Sequence, residues 1–167
     1  MDQALQTEID GATFRKVLGH YPTGVCAITA THEGRPAAMV VGTFTSVSLD
    51  PPLVGFFPDR NSTSWPKIQA AGRFCVNILG AHQLDLCRAL ASKSEDKFQS
   101  VPYRLSEEGS VVLDDVVAWI DCDLHDVIEA GDHFIALGRV KRMQVTAGTS
   151  PLLFFRSGYG QFAPLAL

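Results

Sequence analysis

Short hydroxyl side chains interrupt an otherwise apolar stretch, residues 37–58, and are the first candidates for binding a ligand. The interrupting side chains are Thr43, Thr45, Ser46 and Ser48. Asp50-Pro51-Pro52 then stops the strand, because proline cannot donate a ladder hydrogen bond. Exposed N–H groups and hydroxyls there suit a ligand with a flat apolar part and a polar or phosphorylated tail. A β-bulge and irregular connection without a ligand would explain the same residues.

A second candidate is the corner Gly131-Asp132-His133. A histidine just past a tight turn can project into a cleft and donate a hydrogen bond or a proton. The alternative is a histidine at the rim with no role. Lys97 and Arg156 could each meet a phosphate or a carboxylate, although isolated basic residues usually lie on the surface without such a partner.

Several familiar catalytic and binding patterns are missing. Asp121, Asp123 and His125 alternate along one strand, but a half-solvated strand shows the same alternation and no further ligands accompany it, so we expect no metal. There is no Rossmann glycine fingerprint, no P-loop and no G-x-S-x-G. No cysteine lies in an obviously electropositive sequence, so cysteine catalysis is not expected.

Length, charge and cysteine usage limit the class of protein. The 167 residues predict one domain, with peripheral tails at about 1–12 and 161–167. A net charge of −4 argues against binding nucleic acid or an anionic membrane surface. No apolar run approaches the roughly 20 residues of a membrane span. Four scattered cysteines, without a CxxC pair or an export signal, predict free thiols and a cytoplasmic protein.

Turn signals recur along the chain without regular β–α alternation, which favours an antiparallel barrel with a few peripheral helices. Predicted helices cover residues 13–20 (capped by Asp10), the segment from Trp65 to Gly72 (capped by Ser62 or Ser64) and residues 82–92. Predicted strands, besides those flanking the hydroxyl residues, are 25–29, 74–79, 116–128, 133–145 and 152–155. Residues 92–109 are expected to form a surface loop.

Seven segments together resemble the flavin reductase family, from about Phe14 to Tyr159. They are Phe14-Arg15, Pro22-Thr23-Gly24-Val25, residues 44–53 (FTSVSLDPPL), residues 74–79 (FCVNIL), Asp96-Lys97-Phe98, Gly131-Asp132-His133 and residues 151–155 (PLLFF). The resemblance implies a mainly β, antiparallel Greek-key split β-barrel that binds FMN. It also implies an NAD(P)H-dependent flavin reductase that supplies FMN or FAD in reduced form to a partner monooxygenase.

The same resemblance implies roles for individual residues. The flavin ring would lie against Gly42, Thr43, Phe44, Thr45, Ser46, Val47 and Ser48. The ribityl chain or phosphate would contact Asn61, Ser62 and Trp65, with Lys97 and Phe98 completing that end. The side of the site that receives NADH or NADPH would contain His133, Arg156 and Tyr159. Catalysis would be mostly positioning, with His133 orienting the nicotinamide or steadying the charge of the reduced flavin rather than acting as a general base.

This chain departs from the family pattern at three positions. Val40 stands where many relatives have threonine, and Gly42-Thr43 where they have Asn-Ser, so the preference for FMN or FAD stays open. A homodimer is expected because a small barrel leaves apolar edges to cover. Two alternatives remain: a split-barrel enzyme with bound FMN that reduces a corrinoid or quinone, and a flavin- or haem-binding module without turnover.

Overall fold

Antiparallel strands dominate the computed structural model, which describes residues 9–146 and 148–166 and contains 46% strand and 17% helix. The strands are β1 Thr23–Gly24, β2 Cys26–His32, β3 Arg35–Val41, β4 Thr45–Ser48, β5 Leu53–Phe56, β6 Arg73–Ile78, β7 Tyr103–Leu105, β8 Val111–Leu113, β9 Ala118–Ala130, β10 His133–Val145, β11 Leu152–Phe155 and β12 Gly158–Gln161. The helices are α1 Gly11–Leu18, α2 Trp65–Ala71 and α3 Leu84–Ala91.

The main sheet has seven strands in the order β3-β2-β6-β9-β10-β5-β4. Every neighbouring pair is antiparallel, which confirms the predicted antiparallel barrel. Its two edge strands, β3 and β4, follow one another in the chain with only residues 42–44 between them. These three residues, the 42–44 link, therefore bridge the side of the barrel that hydrogen bonds leave open. A three-stranded sheet, β1-β11-β12, lies beside it.

The unpaired segment between the two strands, predicted to hold the hydroxyl residues, is shorter than expected. Thr45 and Ser46 pair with β5, and only the 42–44 link is unpaired. The register shifts between Ser46 and Ser48, which places a β-bulge at Val47. A β-bulge in β4 and an open groove beside the 42–44 link therefore occur together.

The predicted surface loop over residues 92–109 is wrong in its second part, because residues 103–113 have regular structure. They include a hairpin, β7–β8, whose second strand is buried. The hairpin covers the start of β9, so Asp121, expected on a solvated face, is fully buried and accepts a 2.8 Å hydrogen bond from Ser106 Oγ. Alternation along β9 was visible in the sequence, but a covering hairpin from another segment was not.

The helices begin close to where their caps predict. Asp10 accepts a hydrogen bond from the Thr13 N–H at 2.8 Å, which confirms the predicted cap of α1. Ser64 is the N-cap residue of α2 but makes no side-chain cap hydrogen bond, and Ser62 Oγ instead accepts from the N–H groups of Ser64 and Trp65. Gly72 ends that helix in the left-handed region with φ of 71°.

All four cysteines are buried free thiols, as predicted. Burial raises the pKa of Cys26 and of Cys122 to about 12, and it raises the pKa of Cys75 and Cys87 as well. None of them offers a thiolate for catalysis at neutral pH. Across the described residues, each helix is too short or too polar to cross a bilayer.

Candidate functional site

A groove of about 790 Å³ opens beside the 42–44 link, and we name it the His133 groove. One side comes from the α1–β1 segment, one from the link and the last from the start of β10. Its lining residues are Phe14, Leu18, Tyr21, Pro22, Thr23, Gly24, Gly42, Thr43, Phe44, Thr45, Phe57, Ala130, His133, Phe134 and Ile135. The walls are therefore mostly apolar, with hydroxyls and one histidine, which suits a flat aromatic ligand.

The His133 groove brings together two sets of residues that lie about 90 positions apart in the sequence. Gly42, Thr43, Phe44 and Thr45 face the same space as His133. The other predicted ring contacts, Ser46, Val47 and Ser48, continue along β4 and do not line this groove. The Thr43 hydroxyl accepts a 2.9 Å hydrogen bond from the Phe57 N–H, which ties the link to the end of β5.

Thr23 is a groove residue that the sequence did not single out as a site residue. Its Oγ1 is buried and has no hydrogen-bond partner among the described residues. A Cβ at Gly42 would lie 2.8 Å from that oxygen, so a larger residue there would force the Thr23 side chain to shift. Buried hydroxyls are rarely left unpaired, because the lost solvation costs about 1–3 kcal/mol. An unpaired donor in the wall of a ring-sized apolar groove fits a flavin. The only sequence signal was the position of Thr23 within Pro22-Thr23-Gly24-Val25.

His133 is held at the corner where β9 turns into β10. Gly131 turns the chain with φ of 63°, a conformation that favours glycine. His133 Nδ1 donates a 2.7 Å hydrogen bond to Asp132 Oδ1, which leaves the other ring nitrogen for a ligand. This hydrogen bond, together with the charge of His133, holds the pKa of the Asp132 carboxyl below its usual value.

Arg60 fastens this corner to the segment between β5 and α2, and sequence reasoning missed it. Its backbone N–H donates to Asp132 O at 3.0 Å, and its Nε donates to Gly131 O at 2.7 Å. The guanidinium also lies 4.8 Å from the ring centre of Phe134 and pairs with Glu129 at 3.4 Å. These contacts span about 70 positions, so no local pattern could have revealed them.

A smaller groove of about 230 Å³, the Lys97 groove, is lined by Lys97 and Phe98 of the predicted phosphate end, while Asn61, Ser62 and Trp65 do not line it. Lys97 Nζ donates to Ala38 O and to Ser64 Oγ, both at 3.1 Å. Burial lowers the pKa of Lys97, and the nearby charge of Lys67 lowers it further. Lys67, Lys93 and Glu95 also line this groove, so its charged lining residues are three lysines and one carboxylate. At the start of α2, the Trp65 N–H donates to Ser62 Oγ and Pro66 has no N–H, so an anion in this groove would be attracted mainly by the lysines.

The other predicted residues near this end have different surroundings. Phe98 lines the Lys97 groove and packs edge-on against Tyr103. Asn61 is exposed, while Trp65 lies in the core at 2% exposure. The Trp65 ring packs 6.3 Å from the ring of Phe134, so it supports the wall of the His133 groove from behind.

Arg156 and Tyr159 lie outside the His133 groove. Arg156 forms the β11–β12 turn with φ of 50°, and its N–H donates to Gly19 O. Tyr159 lines a separate groove of about 400 Å³, which shares only Pro22 with the first. Its hydroxyl accepts a 3.9 Å contact from the Cys87 thiol.

The three carboxylate and imidazole groups considered for a metal do not come together. Asp121 is buried beneath Ser106, and Asp123 pairs with Arg73 and Lys141. His125 is exposed on the same strand. Within residues 9–146 and 148–166, no three metal-ligating side chains cluster.

Known proteins share both the sequence and the architecture of this chain. The family described as "Flavin reductase like domain" matches residues 18–163. A flavin reductase of Pseudomonas putida is 58% identical over 164 residues, covering 98% of this chain and 96% of the relative. The reductase subunit HsaB of a flavin-dependent monooxygenase from Mycobacterium tuberculosis is 40% identical, covering 96% and 87%. The solved structure of an NADH:FAD oxidoreductase from Streptomyces globisporus, in complex with NAD and FAD fragments, superposes with a TM-score of 0.87 at 35% identity. The match covers 93% of this chain and 94% of that one.

Proposed function

Because this chain belongs to the flavin reductase-like domain family, we propose that it transfers a hydride from NAD(P)H to flavin in the His133 groove and passes the reduced flavin to a partner monooxygenase. The fold is the split barrel of the solved flavin reductases. The observation that carries the proposal is the placement of His133 opposite the 42–44 link in one apolar groove.

The residues of this groove position and shield the reactants. A flavin, when bound, supplies the ring that accepts the hydride. The walls formed by Phe44, Phe57 and Phe134 exclude water and favour flat rings that stack. Thr23 Oγ1 provides an unpaired hydroxyl in the wall, and His133 provides the ring nitrogen that Asp132 leaves available. Holding two rings in contact in this way lowers the entropic part of the barrier.

The experiment that tests the function is an anaerobic assay that crosses NADH and NADPH with FMN, FAD and riboflavin. We expect nicotinamide oxidation only when free flavin is added, and reduced flavin in the filtrate when the protein is removed by ultrafiltration. Reduced flavin that stays with the protein would instead favour the enzyme with bound FMN and another acceptor, such as a corrinoid or quinone. Absence of nicotinamide oxidation with every flavin would favour the non-catalytic flavin- or haem-binding module.

Lys97 is proposed to bind the phosphate of the flavin. Lys97→Met, which keeps the stem and removes the charge, should weaken FMN and FAD binding about tenfold, since hydrogen bonds to charged groups contribute about 1.5–3 kcal/mol. Riboflavin, which has no phosphate, should bind as before. Fluorescence titration measures all three affinities, with Lys141→Met as the control because Lys141 pairs with Asp123 away from both grooves. Equal weakening of riboflavin and FMN would mean that Lys97 only supports the barrel.

The lowered pKa of Lys97 gives the same interaction a pH dependence. As pH rises, Lys97 loses its proton before an ordinary lysine does, because burial and the charge of Lys67 both disfavour the ammonium form. The affinity for FMN relative to riboflavin should therefore be constant near neutral pH. It should then fall as pH rises, at a pH lower than that at which an ordinary lysine loses its proton. A ratio that stays constant throughout the alkaline range would contradict this.

The remaining assignments extend the proposal. Asn61 and Ser62 would contact the ribityl phosphate, and Arg156 and Tyr159 the nicotinamide nucleotide where it extends past Pro22. A homodimer is supported by the apolar face of α1, where Phe14 and Val17 are 56% and 61% exposed. Sedimentation of the purified protein as a monomer at micromolar concentration would contradict it. A single domain and a cytoplasmic location are proposed as well, the latter because all four thiols are unpaired.

A further inference from the structure

The proposed function leaves unused a groove of about 860 Å³ that we name the Arg35 groove. It begins where the Lys97 groove ends, because the two share Pro36, Ala37, Lys67, Glu95, Lys97 and Phe98. The Arg35 groove adds His32, Glu33, Arg35 and Asp96. It is therefore a continuation of the proposed phosphate site, and it is far larger than one phosphate requires.

Strand β3 places the three sites in a row. The 42–44 link, which lines the His133 groove, follows its last residue, Val41. Lys97 Nζ donates a hydrogen bond to Ala38 O in the middle of the strand. Arg35 is the first residue of the strand. A strand rises about 3.3 Å per residue, so Arg35 lies roughly 20 Å along it from Val41. For a ligand with its ring at the link and its phosphate at Lys97, the Arg35 groove is the next space along the strand.

The charges in the Arg35 groove differ from those in the Lys97 groove. Glu33 and Asp96 join Glu95, which lines both grooves, so the Arg35 groove is the more acidic of the two and is not a general anion site. Carboxylates accept hydrogen bonds from ribose hydroxyls, and an arginine fork binds phosphate oxygens. Arg35 is exposed and makes no ion pair within the part of the chain that the structure describes. Cation and carboxylate together match a nucleoside monophosphate.

We propose that the Arg35 groove is the subsite for the adenylate half of FAD, with Arg35 on the phosphate next to the adenosine and Glu33 and Asp96 near the ribose. The assignment rests on the proposed flavin reductase function, and it makes FAD rather than FMN the preferred flavin. NADH carries the same adenylate group, so the test separates the two sources.

The test measures equilibrium affinities by flavin fluorescence for wild type, Arg35→Ala and the control Arg139→Ala. Arg139 is an exposed arginine on β10 that lines neither the Lys97 groove nor the Arg35 groove. Wild type should bind FAD about tenfold more tightly than FMN, and Arg35→Ala should remove most of that advantage. Affinities for FMN and riboflavin should stay unchanged in Arg35→Ala, and all affinities should stay unchanged in Arg139→Ala.

Competition with 5′-AMP provides a second measurement on the unmodified protein. AMP should displace FAD but leave bound riboflavin in place, because only FAD occupies the Arg35 groove. Equal affinities of wild type for FAD and FMN, or an Arg35→Ala variant that loses affinity for NADH and not for FAD, would overturn the proposal. Failure of the function itself would be distinct, since it would appear as no nicotinamide oxidation with any flavin.

Discussion

Replacing His133 by alanine should lower the rate of hydride transfer from NADH about a hundredfold, the effect expected when a bound reactant is misplaced by about 1 Å. The imidazole is held by Asp132 at 2.7 Å, and the corner that carries it is fastened by Arg60. If the nicotinamide binds beside His133 as proposed, removing the ring would leave space next to it and would remove a hydrogen-bonding group. Anaerobic stopped-flow measurement of NADH oxidation with saturating flavin gives this rate.

Flavin affinity separates a role in positioning from loss of the fold. The dissociation constants of FMN and FAD should change little in His133→Ala, because the 42–44 link and Lys97 remain in place. His125→Ala is the matched control, since His125 is an exposed histidine on the adjacent strand β9 and lies outside the groove. Unchanged hydride transfer in His133→Ala would remove His133 from the site. Equal losses of flavin binding and rate would show that it supports the groove instead.

Gly138→Ala adds one methyl group and should destabilise the protein more than any other glycine-to-alanine change in the barrel. We expect it to lower the free energy of unfolding by about 3 kcal/mol. The new Cβ would overlap the Phe74 ring at Cζ and would lie 3.0 Å from Cys122 Cβ. Phe74 has no room to move, because it is fully buried and packs edge-on against Phe56 at 5.1 Å. Urea unfolding of the purified variants measures the free energy of unfolding directly.

Two further variants test this explanation for Gly138. Gly160→Ala is the control, because a Cβ there meets no atom within 4 Å and its backbone lies outside the left-handed region. Phe74→Leu should partly restore stability in the Gly138→Ala background while it destabilises the wild type, since the two changes share one volume. Additive losses from Gly138→Ala and Phe74→Leu would show that the clash is relieved elsewhere.

Local sequence patterns predicted the parts of this fold that depend on local chemistry. Apolar runs mark the long strands, Asp10 and Ser62 mark helix starts, and Asp50-Pro51-Pro52 marks the end of the hydroxyl-rich stretch. Each signal arises within a few residues of the feature that it predicts. The antiparallel barrel followed from the number and spacing of such segments.

Contacts between distant segments were beyond this reasoning. Thr23 belongs to a two-residue strand, too short for any periodicity, and its neighbour Gly42 comes from another edge of the barrel. Arg60 is conspicuous only once Gly131 and Asp132 are beside it. The burial of Asp121 depends on a hairpin that its own strand does not encode. Thr23 lines the His133 groove and Arg60 holds the corner that carries His133, and both depend on such distant contacts.

The burial of the four thiols affects how well the protein resists oxidation during turnover. A reductase that releases reduced flavin works beside hydrogen peroxide, because dioxygen reoxidises free reduced flavin. Peroxide attacks thiolates, and all four cysteines are shielded from solvent with raised pKa values. We therefore expect these thiols to react slowly with the peroxide that forms during turnover.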